Sequence, residues 1–324
     1  MRIALPPTID AAAFAARDPS AVLLDLHGET MGTSWSLRFA APAGTDPTPV
    51  RAAIVARLAG LVAEMSHWAP DSLLSRFNRS PRGTWTTLPP DFAWVMARGL
   101  AIAEATNGAF DPAIGTLVNA WGFGPFTVSA PPNAGAGGTA RASSGCSRLT
   151  LSTTGGHLHQ PGGVALDLSG IAKGHAVDVI ADLLHDAGIR NALVEIGGEL
   201  VGRGIGPDGD PWWVHLESPP GLTLPPLRVA LHGLAVATSG DYRRGAHTLD
   251  PRTGCPIDTG VVSVSVIHAT ALDADAWATA LTVLGPDEGL SLAENRRIAA
   301  RIVTLIDGDV REYLTPALTA MLVD

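Results

Sequence analysis

The spacing of apolar residues predicts a strand and two long helices in the first third of the chain. Residues 33–40 alternate between polar and apolar positions, which is typical of a half-buried strand. Between Asp46 and Ser66 the apolar residues recur at helical spacing. A second helix is predicted from about Pro89 to Thr106, because proline favours the first turn and Asn107-Gly108 supply a left-handed cap.

Strands dominate the second half of the chain, and helices lie between them at irregular intervals. The predicted strands cover residues 148–151, 164–168, 192–196, 212–217, 227–231, 236–238, 261–267 and 301–306. The predicted helices cover residues 171–187, 273–284 and 288–295. Because the order has no regular β-α-β rhythm, it indicates an α+β fold with mixed sheets and packed helices.

Two segments differ from this pattern. Residues 1–25 are predicted to be a loose or helical extension before the organised chain. Residues 125–147 are rich in Gly, Pro and Ala, and we interpret them as a mobile excursion or a long hairpin. The length of 324 residues suggests about two domains, although a single α+β unit can reach this size.

Composition excludes several classes of protein. Hydrophobic residues make up 46% of the chain and charged residues 16%, so intrinsic disorder is excluded. The net charge of −9 and the lack of a long basic run argue against nucleic-acid binding. The two cysteines have neither the spacing of a zinc site nor the density of a disulfide scaffold.

The N-terminal residues show no targeting signal. Pro6-Pro7 interrupt the chain before an apolar run develops, and no lipobox cysteine follows. The longest uncharged stretch, residues 112–140, contains Gly, Pro and Asn and is unsuited to a membrane helix. We therefore expect no transmembrane segment and a cytoplasmic protein, or a periplasmic one if an N-terminal signal was removed.

The first candidate chemistry lies in the helix predicted from residue 273. Asp275 and Thr279 are four residues apart, so a carboxylate and a hydroxyl project from one face. Both are hard oxygen ligands, which suit Mg²⁺. The alternative is an Asp near the helix N-cap and a Thr bonded back to its own helix.

A glycine-containing turn provides the second candidate. Residues 167–174 join a predicted strand to a predicted helix, so free N–H groups and the positive end of the helix dipole face the turn. Lys173 could add charge near a diphosphate, and the carbonyl of Gly170 could reach a metal. The glycine spacing matches neither the P-loop nor the dinucleotide fingerprint, so an ordinary turn is the alternative.

Two further segments carry candidate groups. His247 precedes a turn, and histidine is the side chain best suited to accept a proton near neutral pH. A structural or merely exposed histidine is the alternative. Residues 121–124 (WGFG) could form one wall of a pocket for a flat ring, or they could be ordinary turn packing.

These segments belong to a longer series that runs in order from Met31 to Gly285. The series consists of residues 31–33 (MGT), 65–68 (MSHW), 71–78 (DSLLSRFN), 108–124, 167–174 (DLSGIAKG), 195–198 (EIGG), 238–242 (TSGDY), 247–254 (HTLDPRTG) and 274–285. In this order the motifs resemble the ApbE or Ftp family of FAD:protein FMN transferases.

The resemblance implies a single ApbE-like catalytic domain over residues 26–324. It implies a Mg²⁺-dependent enzyme that transfers the FMN part of FAD to a Thr or Ser hydroxyl of a target flavoprotein and releases AMP. By resemblance Gly170, Asp275 and Thr279 hold the metal, His247 is the general base, and Lys173 lies near the nucleotide. The remaining residues implied to contact FAD are Met31, Trp68, Ala109, Phe110, Asp111, Asp167 and Leu249.

The chain departs from the family pattern at three positions. Trp68 stands where the family commonly has Tyr, His175 replaces an aromatic residue, and Cys255 replaces Arg. None of these removes an implied metal ligand. Two other functions fit the same residues: a Mg²⁺-dependent FAD diphosphatase that makes FMN and AMP, and an FAD-binding protein without catalysis.

Overall fold

The computed structural model describes residues 1–9, 11–126, 128–130, 132, 134–240 and 247–323. The strands are β1 (Arg2–Ala4), β2 (Val22–Thr30), β3 (Thr33–Ala41), β4 (Trp85–Thr87), β5 (Thr150–Leu151), β6 (His157–His159), β7 (Ala192–Ile196), β8 (Glu199–Arg203), β9 (Trp212–His215), β10 (Leu227–Leu231), β11 (Leu234–Ser239), β12 (Leu249–Asp250), β13 (Cys255–Pro256), β14 (Val261–His268), β15 (Ala299–Ile306), β16 (Asp309–Leu314) and β17 (Leu322–Val323). The α-helices are α1 (Ala11–Ala15), α2 (Thr48–Met65), α3 (Leu73–Arg79), α4 (Pro90–Ala105), α5 (Gly115–Ala120), α6 (Ala134–Ser143), α7 (Ala172–Asp186), α8 (Ala271–Asn295) and α9 (Pro316–Thr319).

A large antiparallel sheet forms the centre of the molecule, in the order β16-β15-β14-β11-β8-β7-β3-β2. Both of its faces are covered. Ala235 and Ala237 of β11 face the main core with α7 and α8, whereas Val236 between them faces a smaller core with β9 and β10. This arrangement follows from the period of two along a strand. The α+β fold expected from the sequence is confirmed.

The longest predicted helices are present. The structure forms α2, α4 and α7 within the predicted ranges, and Asn107 and Gly108 after α4 have φ of 53° and 81°. The two helices predicted at residues 273–284 and 288–295 form one element, α8, which is interrupted at Gly285, where φ is 75° and ψ is −177°. No helix in the described part of the chain is long and apolar enough to cross a membrane.

The first residues contribute to a second sheet. β1 pairs with β10 in parallel and with β17 in antiparallel orientation, in the order β17-β1-β10-β9. Ala4 is buried in the core that this sheet shares with the central sheet. Residues 1–25, which we expect from sequence to be an extension, therefore include a strand whose two neighbours come from distant parts of the chain.

The segment 125–147 contains a helix, so the expected long hairpin is wrong for its described residues. The helix, α6, packs against α5, and Arg141 Nη1 donates a hydrogen bond of 3.2 Å to the Arg252 carbonyl. Arg141 also packs at the position where a Cβ on Gly254 would lie, at 3.2 Å. These tertiary contacts override a composition that is typical of loops. Thr127, Pro131 and Asn133 lie outside the described residues.

The strand predicted at residues 164–168 is also wrong. This segment forms no strand with the described residues, and its backbone groups bond instead to side chains and turns. Asn78 holds Leu166 at both ends: its Oδ1 accepts from the Leu166 N–H at 2.7 Å, and its Nδ2 donates to the Leu166 carbonyl at 3.0 Å. The Asp167 N–H donates to the Pro112 carbonyl at 2.9 Å. The segment is thus fixed as it approaches the glycine turn.

A carboxylate of α7 forms hydrogen bonds with the start of α8. Asp178 of α7 accepts hydrogen bonds of 2.9 Å from the backbone N–H groups of Ala271 and Leu272, at the start of α8. Those N–H groups have no partner within their own helix, so the carboxylate supplies one. Burial raises the pKa of the Asp178 carboxyl from 3.8 to about 6, against the lowering effect of the two N–H groups.

This raised pKa predicts a pH-dependent stability. The folded pKa of Asp178 exceeds the unfolded one, so its stabilising contribution is complete below about pH 3.8 and is lost as the pH rises through about 6. Between about pH 4.5 and about pH 7.5, we expect the free energy of unfolding of wild type to fall by about 2 kcal/mol relative to that of Asp178→Asn. Urea unfolding of both proteins across this range measures the difference, and parallel pH profiles would contradict the expectation.

Candidate active site

Asp275 is buried on the face of α8 that meets the start of α7. Its Oδ2 accepts a hydrogen bond of 3.1 Å from the backbone N–H of Gly174, and the residue is 5% exposed. Thr270, and not Asp275, caps α8, because its side chain accepts from the Asp273 N–H. Asp275 therefore lies within the helix, and its carboxylate contacts the backbone of α7.

Gly170 brings the turn before α7 against the same helix. A Cβ at Gly170 would lie 2.8 Å from Oγ1 of Thr279 and 3.4 Å from the ring of Phe110. A residue with a side chain would thus collide with the hydroxyl of Thr279, and glycine allows the backbone to approach it. Three residues singled out from sequence, Gly170, Thr279 and Phe110, are neighbours in the structure.

Two buried carboxylates share a single lysine at this place. Lys173 forms an ion pair with Glu199, at the start of β8, and is also close enough to Asp275 to lower the pKa of that carboxyl. Burial nevertheless raises the pKa of both Asp275 and Glu199 above their ordinary values. Oε2 of Glu199 is buried and has no hydrogen-bond partner among the residues that the structure describes. The group carries one more negative charge than positive when all three residues are ionised.

Glu199 was missed by the sequence reasoning. It directly follows the segment 195–198 of the resemblance, and that position was its only signal. A glutamate at the first residue of a strand gives no sign that it will be 2% exposed. Its importance depends on Lys173 and Asp275, which come from two helices distant in the chain.

These oxygen groups fit a divalent cation. The described residues contain no cluster of three His, Cys, Asp or Glu side chains suited to a metal. The groups whose chemistry suits a cation here are the Asp275 carboxylate, the Thr279 hydroxyl and the Gly170 carbonyl. Hard oxygen ligands in small number, completed by phosphate and water, are the usual environment of Mg²⁺. The surplus negative charge of the buried carboxylates favours cation binding.

Asp167 lies at the entrance to the glycine turn and pairs with His67. Their closest atoms, Asp167 Oδ1 and His67 Nδ1, are 3.3 Å apart, and the same oxygen accepts from the Ser169 N–H at 2.8 Å. Burial alone would raise the pKa of Asp167, but His67 and the hydrogen bonds from Ser169 outweigh it and lower the pKa. Trp68, next to His67, is 62% exposed.

The neighbouring segment 109–111 is buried. Ala109 and Phe110 lie in the interior, and the carboxylate of Asp111 accepts hydrogen bonds from the backbone N–H groups of Ala113, at 2.7 Å, and Cys146, at 2.9 Å. Burial raises the pKa of Asp111. In the structure Asp111 thus fixes the loop at Cys146, and its contact with FAD stays a prediction.

The segment 247–254 contains β12 and the turn that leads to β13. His247 is half-buried, while Leu249 is buried against Leu117 and Ala140. Asp250 accepts from Arg252, whose Nη1 also donates to Glu288 of α8 at 3.0 Å. The loop is thereby tied to the helix that carries Asp275, and the role of His247 stays a prediction.

Met31 lies in the turn between β2 and β3. It is half-buried against the main core and has a φ of 51°, which is unusual for a residue other than glycine. Of the motif at residues 238–242, Asp241 and Tyr242 lie outside the described residues.

The fold is shared with solved flavin transferases. "Flavin Transferase ApbE from Vibrio cholerae" superposes with a TM-score of 0.86 at 34% identity, over 93% of this chain and 99% of that chain. The apo crystal structure of the flavinyl transferase ApbE from Pseudomonas stutzeri gives the same TM-score at 35% identity, over 93% and 97% of the two chains.

The profile of the ApbE family matches residues 31–302, and the chain belongs to that family. The FAD:protein FMN transferase of Vibrio cholerae is 35% identical over 89% of this chain and 89% of its own length. The protein of the same name from Haemophilus influenzae is 34% identical over 92% and 91%. The resemblance based on the motifs from Met31 to Gly285 is confirmed.

Proposed function

We propose that this chain is an FAD:protein FMN transferase that modifies a Thr or Ser hydroxyl of a target flavoprotein. The proposal is supported by relatives with this name, which the chain matches over most of their length. The single structural observation that supports the proposal is the approach of Gly170 to Thr279 beside the buried Asp275. That arrangement suits a cation that binds a diphosphate.

The reaction is a displacement at the flavin-side phosphorus of FAD. The acceptor oxygen forms a new bond to this phosphorus, the bond to the bridging oxygen breaks, and AMP leaves. Such a reaction requires neutralised phosphate charge and an in-line arrangement of the attacking and leaving oxygens. Asp275, Thr279 and the Gly170 carbonyl would hold Mg²⁺, which when bound supplies charge neutralisation at the phosphates.

Other groups of the chain supply further positive charge for the phosphates and a base for the acceptor hydroxyl. The N-terminus of α7 and Lys173 direct positive charge towards the diphosphate. Glu199 forms an ion pair with the ammonium group of Lys173 and so holds it in place. His247 takes the proton from the acceptor hydroxyl as the oxygen attacks, which is the role of a general base.

The flavin and the nucleotide are held by the remaining predicted residues. The exposed indole of Trp68 offers a face on which the flavin ring can stack. Asp167 and Phe110 line the approach to the glycine turn. The other proposed FAD-binding residues are Met31, Ala109, Asp111 and Leu249.

A mass-spectrometric assay tests the proposal. The protein is incubated with FAD, Mg²⁺ and an acceptor domain carrying a small-residue Ser/Thr-Gly-Ala-Thr segment. We expect the acceptor to gain the mass of one FMN, and EDTA to abolish the gain. Free FMN and AMP without an adduct would instead indicate a diphosphatase, and intact FAD would indicate a binding protein.

A further inference from the structure

One nitrogen of the His67 ring has no hydrogen-bond partner among the described residues. Nδ1 of its ring faces the Asp167 carboxylate at 3.3 Å, whereas Nε2 is buried and unpartnered within the part of the chain that the structure describes. A buried polar atom without a partner is energetically unfavourable. Such an atom beside a binding site is therefore a candidate for contact with the ligand.

The surroundings of His67 indicate which ligand this would be. The ring of Trp68 lies 5.2 Å from the imidazole, centroid to centroid, at an interplanar angle of 40°. The His67 side chain is 11% exposed and Trp68 is 62% exposed, so the indole is the solvent-facing member of the pair. Asp167, on the other side, leads into the turn that contains Gly170.

We propose that Nε2 of His67 donates a hydrogen bond to FAD when FAD is bound. The inference rests on the proposed function, and it assigns a binding role to a residue outside the set given above. His67 then links the surface on which the flavin stacks to the turn that meets the diphosphate.

The charge of His67 supports a donor role. Burial would lower the pKa of the imidazole, but the Asp167 carboxylate outweighs this effect and raises the pKa above its ordinary value. The protonated ring carries an N–H at Nε2, and FAD offers acceptors on its ring carbonyls, ring nitrogens and phosphates. A hydrogen bond from a charged donor is stronger than one between neutral groups.

Two substitutions separate this role from a structural one. The amide of asparagine takes the place of Nδ1, so His67→Asn retains a partner for Asp167 and loses the group at Nε2. The amide of glutamine reaches the position of Nε2, so His67→Gln retains a donor towards FAD and loses the contact with Asp167. If Nε2 contacts the ligand, His67→Asn weakens FAD binding more than His67→Gln does. If His67 matters only through its contact with Asp167, the order of the two variants is reversed.

Calorimetric titration with FAD in EDTA, which stops turnover, gives the dissociation constant without measuring activity. For His67→Asn we expect a Kd about tenfold higher and a Tm close to wild type. For His67→Gln we expect a Kd within about threefold of wild type and a lower Tm. A Kd for His67→Asn within about twofold of wild type would overturn the inference.

A matched control is the second tilted His–Trp pair, His159 and Trp85, whose centroids lie 5.0 Å apart on β6 and β4. His159→Asn should leave the Kd for FAD unchanged, and an increase equal to that of His67→Asn would also overturn the inference. The proposed function fails separately, if wild type itself binds no FAD. If wild type binds FAD and transfers FMN, but His67→Asn has an unchanged Kd for FAD, then only the role of His67 is rejected.

Discussion

Replacing Asp275 with Asn should abolish FMN transfer while leaving the fold intact. The amide oxygen can still accept the hydrogen bond from the Gly174 N–H, which is 3.1 Å away, so the contact between α7 and α8 is preserved. The negative charge that attracts the cation is lost. We expect the transfer rate to fall by roughly a thousandfold, measured as FMN mass gained by the acceptor.

Asp273 provides the matched control for this substitution. It lies two residues earlier on α8, is also buried, and pairs with Arg98 at 2.6 Å. Asp273→Asn removes a buried carboxylate and an ion pair, so it should lower the Tm and retain most of the transfer rate. If Asp275→Asn retained transfer within about tenfold of wild type, Asp275 would not be the metal-binding carboxylate.

The candidate site could be predicted from sequence where its residues lie close together in the chain. The spacing of Asp275 and Thr279 is enough to place them on one helical face, and the glycine turn is recognisable before α7. Glu199 and the unpartnered Nε2 of His67 were not predictable. Their significance comes from burial and from partners far away in sequence, and neither property can be read from residue type alone.

The fold shows the same division between local and tertiary signals. The helices α2, α4 and α7 were predictable because their apolar spacing and end signals are local. Residues 164–168 look like a strand, but the Asn78 side chain and the Pro112 carbonyl take the hydrogen bonds that a strand partner would receive. The helix α6 is stabilised by α5 and by the loop at Arg252, which sequence does not show.

Replacing Gly174 with Ala should destabilise the protein and reduce FMN transfer together. A Cβ at Gly174 would lie 2.6 Å from the carbonyl carbon of Ala271 and 2.8 Å from the backbone nitrogen of Leu272. Backbone atoms cannot move aside as a flexible side chain can, so α7 and α8 must separate. We expect a loss of about 3 kcal/mol in the free energy of unfolding, measured by urea denaturation.

The same separation should weaken activity, because Gly174 supplies the hydrogen bond to Asp275 and both helices carry site residues. Gly60, in the middle of α2, is the matched control: its Cβ position has no heavy atom within 4 Å. Gly60→Ala should stabilise the protein by about 0.5–1 kcal/mol, because alanine restricts the unfolded chain and favours the helix. If Gly174→Ala were as stable as wild type, the close approach of α7 to α8 would not be required for stability. The proposed dependence of the metal site on this contact would then be wrong.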